Sequence, residues 1–128
     1  MKTITREQLN KKLELHREWL EDHDKGERLD LSYTELSNAY LSDANLSNTN
    51  LINADLSNTI LRYTNLSGAI LSNANLRNAI LSNANLSYTE LSNTDLSNAN
   101  LRDAILIGAK LTGANLSFIQ GKNIYTFN

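Results

Sequence analysis

The chain has 128 residues, enough for one domain, with a formal net charge of -2, no cysteine and no proline. That balance argues against a general affinity for nucleic acid or anionic membrane, and without cysteine there is neither a disulfide frame nor a thiolate metal site. No apolar run approaches the roughly 20 residues that span a bilayer, and the polar segment Met1–Gln8 is unlike a secretory signal, so a cytoplasmic protein is expected.

Residues 1–28 come first. Thr5-Arg6-Glu7-Gln8 has the form of a capping box, with Ile4 and Leu9 placed for a hydrophobic staple. Leu9, Leu13 and Leu20 fall on one helical stripe, Trp19 lies beside it, and Gly26 is a natural stop. The spacing predicts a helix from about Arg6 to Asp24. Its seven basic and seven acidic residues, counted over 1–28, read as a solvated surface. His16 and His23 are seven apart and share a face. A metal site built on them would need Asp24 or Glu27, but no further ligand spacing supports one, so no metal is expected and a solvated or packed helix face is.

From Leu31 to Leu116 leucine recurs at every fifth residue, eighteen times in register. Two positions before each leucine stands Ala eleven times and Thr six times, with Leu29 the one departure. Two positions after it stands Asn nine times, Gly three times and Asp twice. On an α-helix, leucines five apart would be spread round the whole circumference. On a plain strand they would alternate faces. A short extended piece followed by a tight turn returns each leucine to the same side. Asn, Gly and Asp tolerate the positive φ that a type II turn needs at its second central position, which places corners at Ser37-Asn38, Ser57-Asn58 and Ser97-Asn98 and their equivalents. The small residues leave room beside the leucines of a narrow core. Asn38, Asn58, Asn78 and Asn98 are expected to form a ladder joined by their side-chain amides.

The unit, as in Ala44-Asn45-Leu46-Ser47-Asn48, resembles the pentapeptide-repeat family over about Leu29 to Phe118. The segment His16-Arg17-Glu18-Trp19-Leu20, with Gly26 and then the first repeat, is similar to the N-terminal region of some phage and bacterial members. The resemblance implies an all-β solenoid, a right-handed quadrilateral β-helix with four repeats per coil and about four and a half coils, capped by the N-terminal α-helix. The organisation expected is a capping helix and lead-in at 1–28, the β-helix at 29–118 and a tail at 119–128.

In that tail the five-residue register ends after Phe118. Ile119, Ile124, Tyr125 and Phe127 either fold back to seal the last coil or, with Phe118, make an end-to-end contact with a second copy, as pentapeptide-repeat proteins often do. The chain is also compatible with the front part of a longer protein.

No catalytic constellation stands out. The serines recur because the turn recurs, and there is no glycine-rich phosphate loop. The protein is expected not to be an enzyme and to hold no cofactor. With four repeats per coil, residues twenty apart stack, and the residue before each leucine points outward. Tyr40, Ile60 and Ile80 then form an apolar stripe flanked by Arg62 and Arg102, suited to a protein contact. The preference of β-branched residues for strands is the competing explanation. The expected partner is an unidentified protein, with no direct contact to nucleic acid and none to membrane. The resemblance also implies an alternative, because some members bind DNA gyrase as mimics of duplex DNA. Mimicry needs dense negative charge. The column Glu35-Asp55-Asp95 supplies some, but the repeat region carries only seven acidic against four basic residues.

Overall fold

The computed structural model describes residues 1–126. One α-helix, α1 (Arg6–Glu21), precedes a stack of coils. Parallel bridges join residues twenty apart in four columns: Asp30 to Lys110, Glu35 to Asn115, Tyr40 to Gln120 and Asn45 to Tyr125. These columns run along faces 1 to 4. At about 4.8 Å per rung, the four steps from the first coil to the fifth make roughly 19 Å.

The backbone of one repeat shows why five residues suffice. In Ala84–Tyr88, Ala84 N–H closes the turn on Leu81 O (3.0 Å), Asn85 N–H donates up to Thr64 O (2.9 Å), and Leu86 and Tyr88 N–H donate down to Ile105 O (2.7 Å) and Ile107 O (2.8 Å). The remaining donor, Ser87 N–H, is taken by Asn85 Oδ1 at 3.0 Å. Every N–H of the repeat is thereby satisfied, as a packed backbone requires. The turn bond together with positive φ at the second central residue, 65° at Asn38 and 59° at Asn58, is the type II pattern.

The leucines fill the interior. From Leu31 to Leu106 each is at most 6% exposed, contributing about 1.5–3 kcal/mol of transfer free energy. The preceding Ala and Thr residues lie beside them, and buried threonines such as Thr59 and Thr94 spend their hydroxyls on backbone carbonyls, Thr59 on Leu56 O and Thr94 on Leu71 O. The corner asparagines differ from expectation. No side-chain bond links Asn38, Asn58, Asn78 and Asn98 among the described residues; their role is the positive-φ corner itself.

The helix ends at Glu21, short of Asp24, because the backbone turns extended at Asp22. The capping box forms in both directions between Thr5 and Gln8. Gly26, at φ 62°, lets the chain double back against α1: a Cβ there would lie 2.1 Å from Leu15 O. Lys2 pairs with Thr34 as a partial extra rung. The first coil has no complete rung above it, and α1 supplies donors in its place. Arg6 Nη1 donates to Tyr40 O (2.8 Å), and the ring of His16 meets Ser47 O through Nε2 (2.7 Å). One coil below, the equivalent carbonyls of Ile60 and Ser67 accept from Leu41 and Asn48 N–H. His16 is fully buried, so the stripe of α1 that meets the coils includes it along with Leu9.

The register does not stop at Phe118. Asn100 pairs with Gln120 and Ile105 with Tyr125, which completes a fifth coil. The last two repeats exchange their bulk. Gly121 stands in a leucine place and Ile119 and Ile124 stand in the small-residue places. Ile124 Cδ1 occupies the space where a Cβ of Gly121 would be, 2.1 Å from it. Residues 119–126 therefore continue the stack and do not fold back over it.

Candidate interaction surface

The outward position before each leucine does two different jobs. At ten of these positions it is Asn or Asp, and every one accepts from the N–H two residues on, as Asn65 Oδ1 does from Ser67 at 3.0 Å. This local bond is what Asn and Asp side chains do at turns. The asparagines of faces 2 and 4 are thus committed to the fold. So are the carboxylates of Asp55 and Asp95, which accept from Ser57 and Ser97 N–H. In Asp30 the Ser32 hydroxyl and N–H hold the carboxyl below its ordinary range.

Face 3 departs from this rule in three successive coils. Tyr40, Ile60 and Ile80 stack in register, and none can accept from the turn N–H that follows it. Tyr40 is 65% exposed; Ile60 and Ile80 are half-buried against their neighbours. Arg62 and Arg102 are exposed on the same face, two rungs apart. Between α1 and the first coil, a groove of about 270 Å³ lined by Ile4, Arg6, Leu9 and Ala39 opens beside Tyr40.

Two further groups belong to this surface and were not anticipated. Lys122 sits one rung below Arg102, with Asp103 N–H donating to Lys122 O at 3.0 Å. The signal was present in Gly121-Lys122-Asn123, where Lys and Asn keep the repeat places but Gly replaces leucine. Tyr63 lies at the corner beside Arg62 with φ 57° and is 62% exposed. Tyr33, Tyr88 and Phe118 also occupy positive-φ corners. That conformation is uncommon for bulky residues and costs about 1–2 kcal/mol each.

The end-to-end set is only partly brought together. Phe118 is a corner residue, 83% exposed; Tyr125 is exposed on face 4; Ile119 and Ile124 are half-buried core positions of the terminal coil. Phe127 lies outside the described residues. Leu116 is 38% exposed, so the core of the last coil is open to that end.

No metal chemistry fits His16. Leu29 N–H donates to its Nδ1 at 3.0 Å, which makes Nε2 the protonated nitrogen facing Ser47 O, so both nitrogens are engaged. Trp19 stacks on His23 with ring centroids 4.1 Å apart, and the Arg28 guanidinium lies 5.9 Å from the Trp19 ring.

Four columns of parallel rungs built from a leucine-centred five-residue unit define a repeat solenoid. A family model for pentapeptide repeats matches residues 27–48, 39–78 and 79–117 in eight copies, and the chain belongs to the pentapeptide-repeat family. Among solved structures it is similar to the pentapeptide-repeat protein Rfr23 from the cyanobacterium Cyanothece 51142, at 40% identity, covering 83% of this chain and 69% of that one, with a TM-score of 0.70. It is also similar to QnrB1, a plasmid-mediated fluoroquinolone resistance protein, in a trypsin-treated form. There the identity is 25%, covering 73% of this chain and 46% of that one, with a TM-score of 0.67. The chain thus spans about half of the QnrB1 structure. No curated protein matches.

Proposed function

We propose that the chain is a non-enzymatic interaction module, a rigid right-handed four-sided β-helix that offers face 3 to a protein partner. The observation that carries this reading is the run Tyr40-Ile60-Ile80. Each gives up a turn hydrogen bond that Asn or Asp makes at ten equivalent positions, and such a bond is worth about 0.5–1.5 kcal/mol. Strand propensity favours isoleucine on any face, yet three consecutive apolar rungs occur on face 3 alone. A pull-down from bacterial lysate tests it, comparing the native chain with Ile60→Asn/Ile80→Asn. Asparagine restores the repeat consensus, so the variant keeps the fold. A protein retained by the native chain and lost by the variant supports the reading, whereas identical sets refute it.

A second copy meeting the open terminal coil is proposed as the assembly, supported by the exposure of Leu116 and Phe118. Sedimentation of Phe118→Ser beside the native chain tests it; a native monomer would end the idea. The likeness to a fluoroquinolone resistance protein favours one alternative, binding to DNA gyrase as a mimic of DNA. Its acidic column is weak, because Asp55 and Asp95 are tied to turns and Arg77 is exposed on the same face. Protection or inhibition in a gyrase supercoiling assay at micromolar protein would support that alternative.

A further inference from the structure

We infer that the partner segment for face 3 is an acidic amphipathic α-helix lying parallel to the axis of the stack. This rests on the reading of face 3 as an interaction surface and names the chemistry that it recognises.

Three properties of the face point there. The first is charge. Arg62, Arg102 and Lys122 stand in one column beside the apolar one, and all three are exposed. The ion pairs among the described residues are Arg17 with Glu14 and Glu21, and Lys110 with Glu90, so none of these three cations is neutralised by a salt bridge. A complementary surface carries carboxylates.

The second is the state of the backbone. On face 3 the ladder groups are spent between coils: Leu61 N–H on Ile80 O (2.7 Å) and Ile80 N–H on Thr59 O (2.9 Å). An added strand needs a continuous edge of free N–H and C=O groups, whereas the turn N–H groups of Ser42, Arg62 and Ser82 that lack a side-chain acceptor are single donors, one to each coil, and make no such edge. A helix satisfies its own backbone and needs only side-chain contacts.

The third is spacing. Tyr40 to Ile80 is two rungs, about 9.6 Å at 4.8 Å per rung. Apolar residues at i, i+3 and i+7 of a helix extend over about 10.5 Å. Arg62 and Arg102 are likewise two rungs apart, which suits carboxylates at i and i+7 on the flank of the same helix. An extended segment repeats its side chains at about 6.6 Å on one face and falls out of step. From Tyr40 to Lys122 the face is four rungs long, about 19 Å, or about 13 residues of helix.

The test is fluorescence anisotropy with two labelled synthetic peptides of fifteen residues. Both carry Leu at i, i+3, i+7 and i+10; one has Glu on the flanking positions and the other Lys. The native chain is expected to bind the Glu peptide about tenfold more tightly than the Lys peptide, with the difference shrinking as salt rises. Arg62→Glu/Arg102→Glu is expected to reverse the preference, and Ile60→Asn/Ile80→Asn to weaken both peptides. Equal binding of both peptides, lost in the Asn variant, would overturn the acidic partner and leave face 3 as an interaction surface. Binding that survives the Asn variant would sink both ideas. No binding of either peptide overturns the helix, while the pull-down reports on the face separately.

Discussion

His16 provides the sharpest test of how α1 caps the stack. Its ring is fully buried, accepts from Leu29 N–H at 3.0 Å and faces Ser47 O at 2.7 Å. His16→Ala would leave that donor and that acceptor buried without partners. At about 1–3 kcal/mol for each, the expected loss is about 2–6 kcal/mol in urea unfolding. His16→Gln, which offers both an acceptor and a donor, should recover part of it. The same geometry dictates a pH dependence. Protonation would set Nδ1–H against Leu29 N–H. Burial pushes the imidazole pKa down, the Ser47 carbonyl pulls it up by less, and the positive charge of Arg28 adds to the lowering. A histidine depressed in the folded state is neutral in both states above about pH 6.5, so its contribution is fully present there. As pH falls below 6.5 the unfolded chain takes the proton first. Stability is then lost by up to about 1.4 kcal/mol per unit until the folded pKa is reached. The carboxylates of Glu14, Asp30, Glu90 and Asp95 also have lowered pKa values, but their losses come at lower pH. Unfolding free energy measured from pH 7 to pH 5 should therefore fall in the native chain and stay flatter in His16→Gln. Parallel slopes would refute the buried neutral imidazole.

Other expectations concern the stack itself. Ala74→Leu should overpack the core beside the leucine column and cost about 1–3 kcal/mol, seen as a lower Tm; an unchanged Tm would contradict its inward place. Gly108→Ala places a Cβ 2.5 Å from the Tyr88 ring at a φ of 72°, and a loss of about 1–3 kcal/mol is expected in chemical unfolding. Tyr88→Ala in the same chain should relieve the steric part and leave the backbone part. Ile60→Asn/Ile80→Asn should hold or raise the Tm, because each Asn can take the turn N–H as Asn65 does; a clear drop would mean that the isoleucines stabilise the coil more than the lost bonds.

The period of five and the residues allowed at positive φ were enough to place the corners and the inward leucines, and the stacked columns followed from the four repeats per coil that the family resemblance implies. Position in a repeat is a local signal repeated eighteen times, so chance variation at one site does not hide it. Three features were not legible. The outward asparagines looked like surface, and their bond to the N–H two residues on is visible only with side-chain geometry. His16 looked like one polar residue on a charged helix; its burial depends on meeting the orphan carbonyl of Ser47, thirty-one residues away. The end of the register was misplaced at Phe118 because the final repeats keep the rung but move the bulk from the leucine place to Ile119 and Ile124. On face 3, the stripe and both arginines were legible from the spacing once the family resemblance supplied four repeats per coil. Lys122 was lost with the misplaced register, and Tyr63 was lost because an aromatic corner defies the usual positive-φ preference.

One coil contains a residue from every face at the same height: Asp55, Ile60, Asn65 and Ile70. Replacing each in turn with a photo-crosslinking phenylalanine analogue, then irradiating the chain in lysate, reads out which side of the stack meets a partner. Crosslinked product confined to position 60, and removed by Ile80→Asn in the same chain, is the result expected for an interaction module that works through face 3. Crosslinking distributed evenly over the four positions, or strongest at 55, 65 or 70, would contradict it.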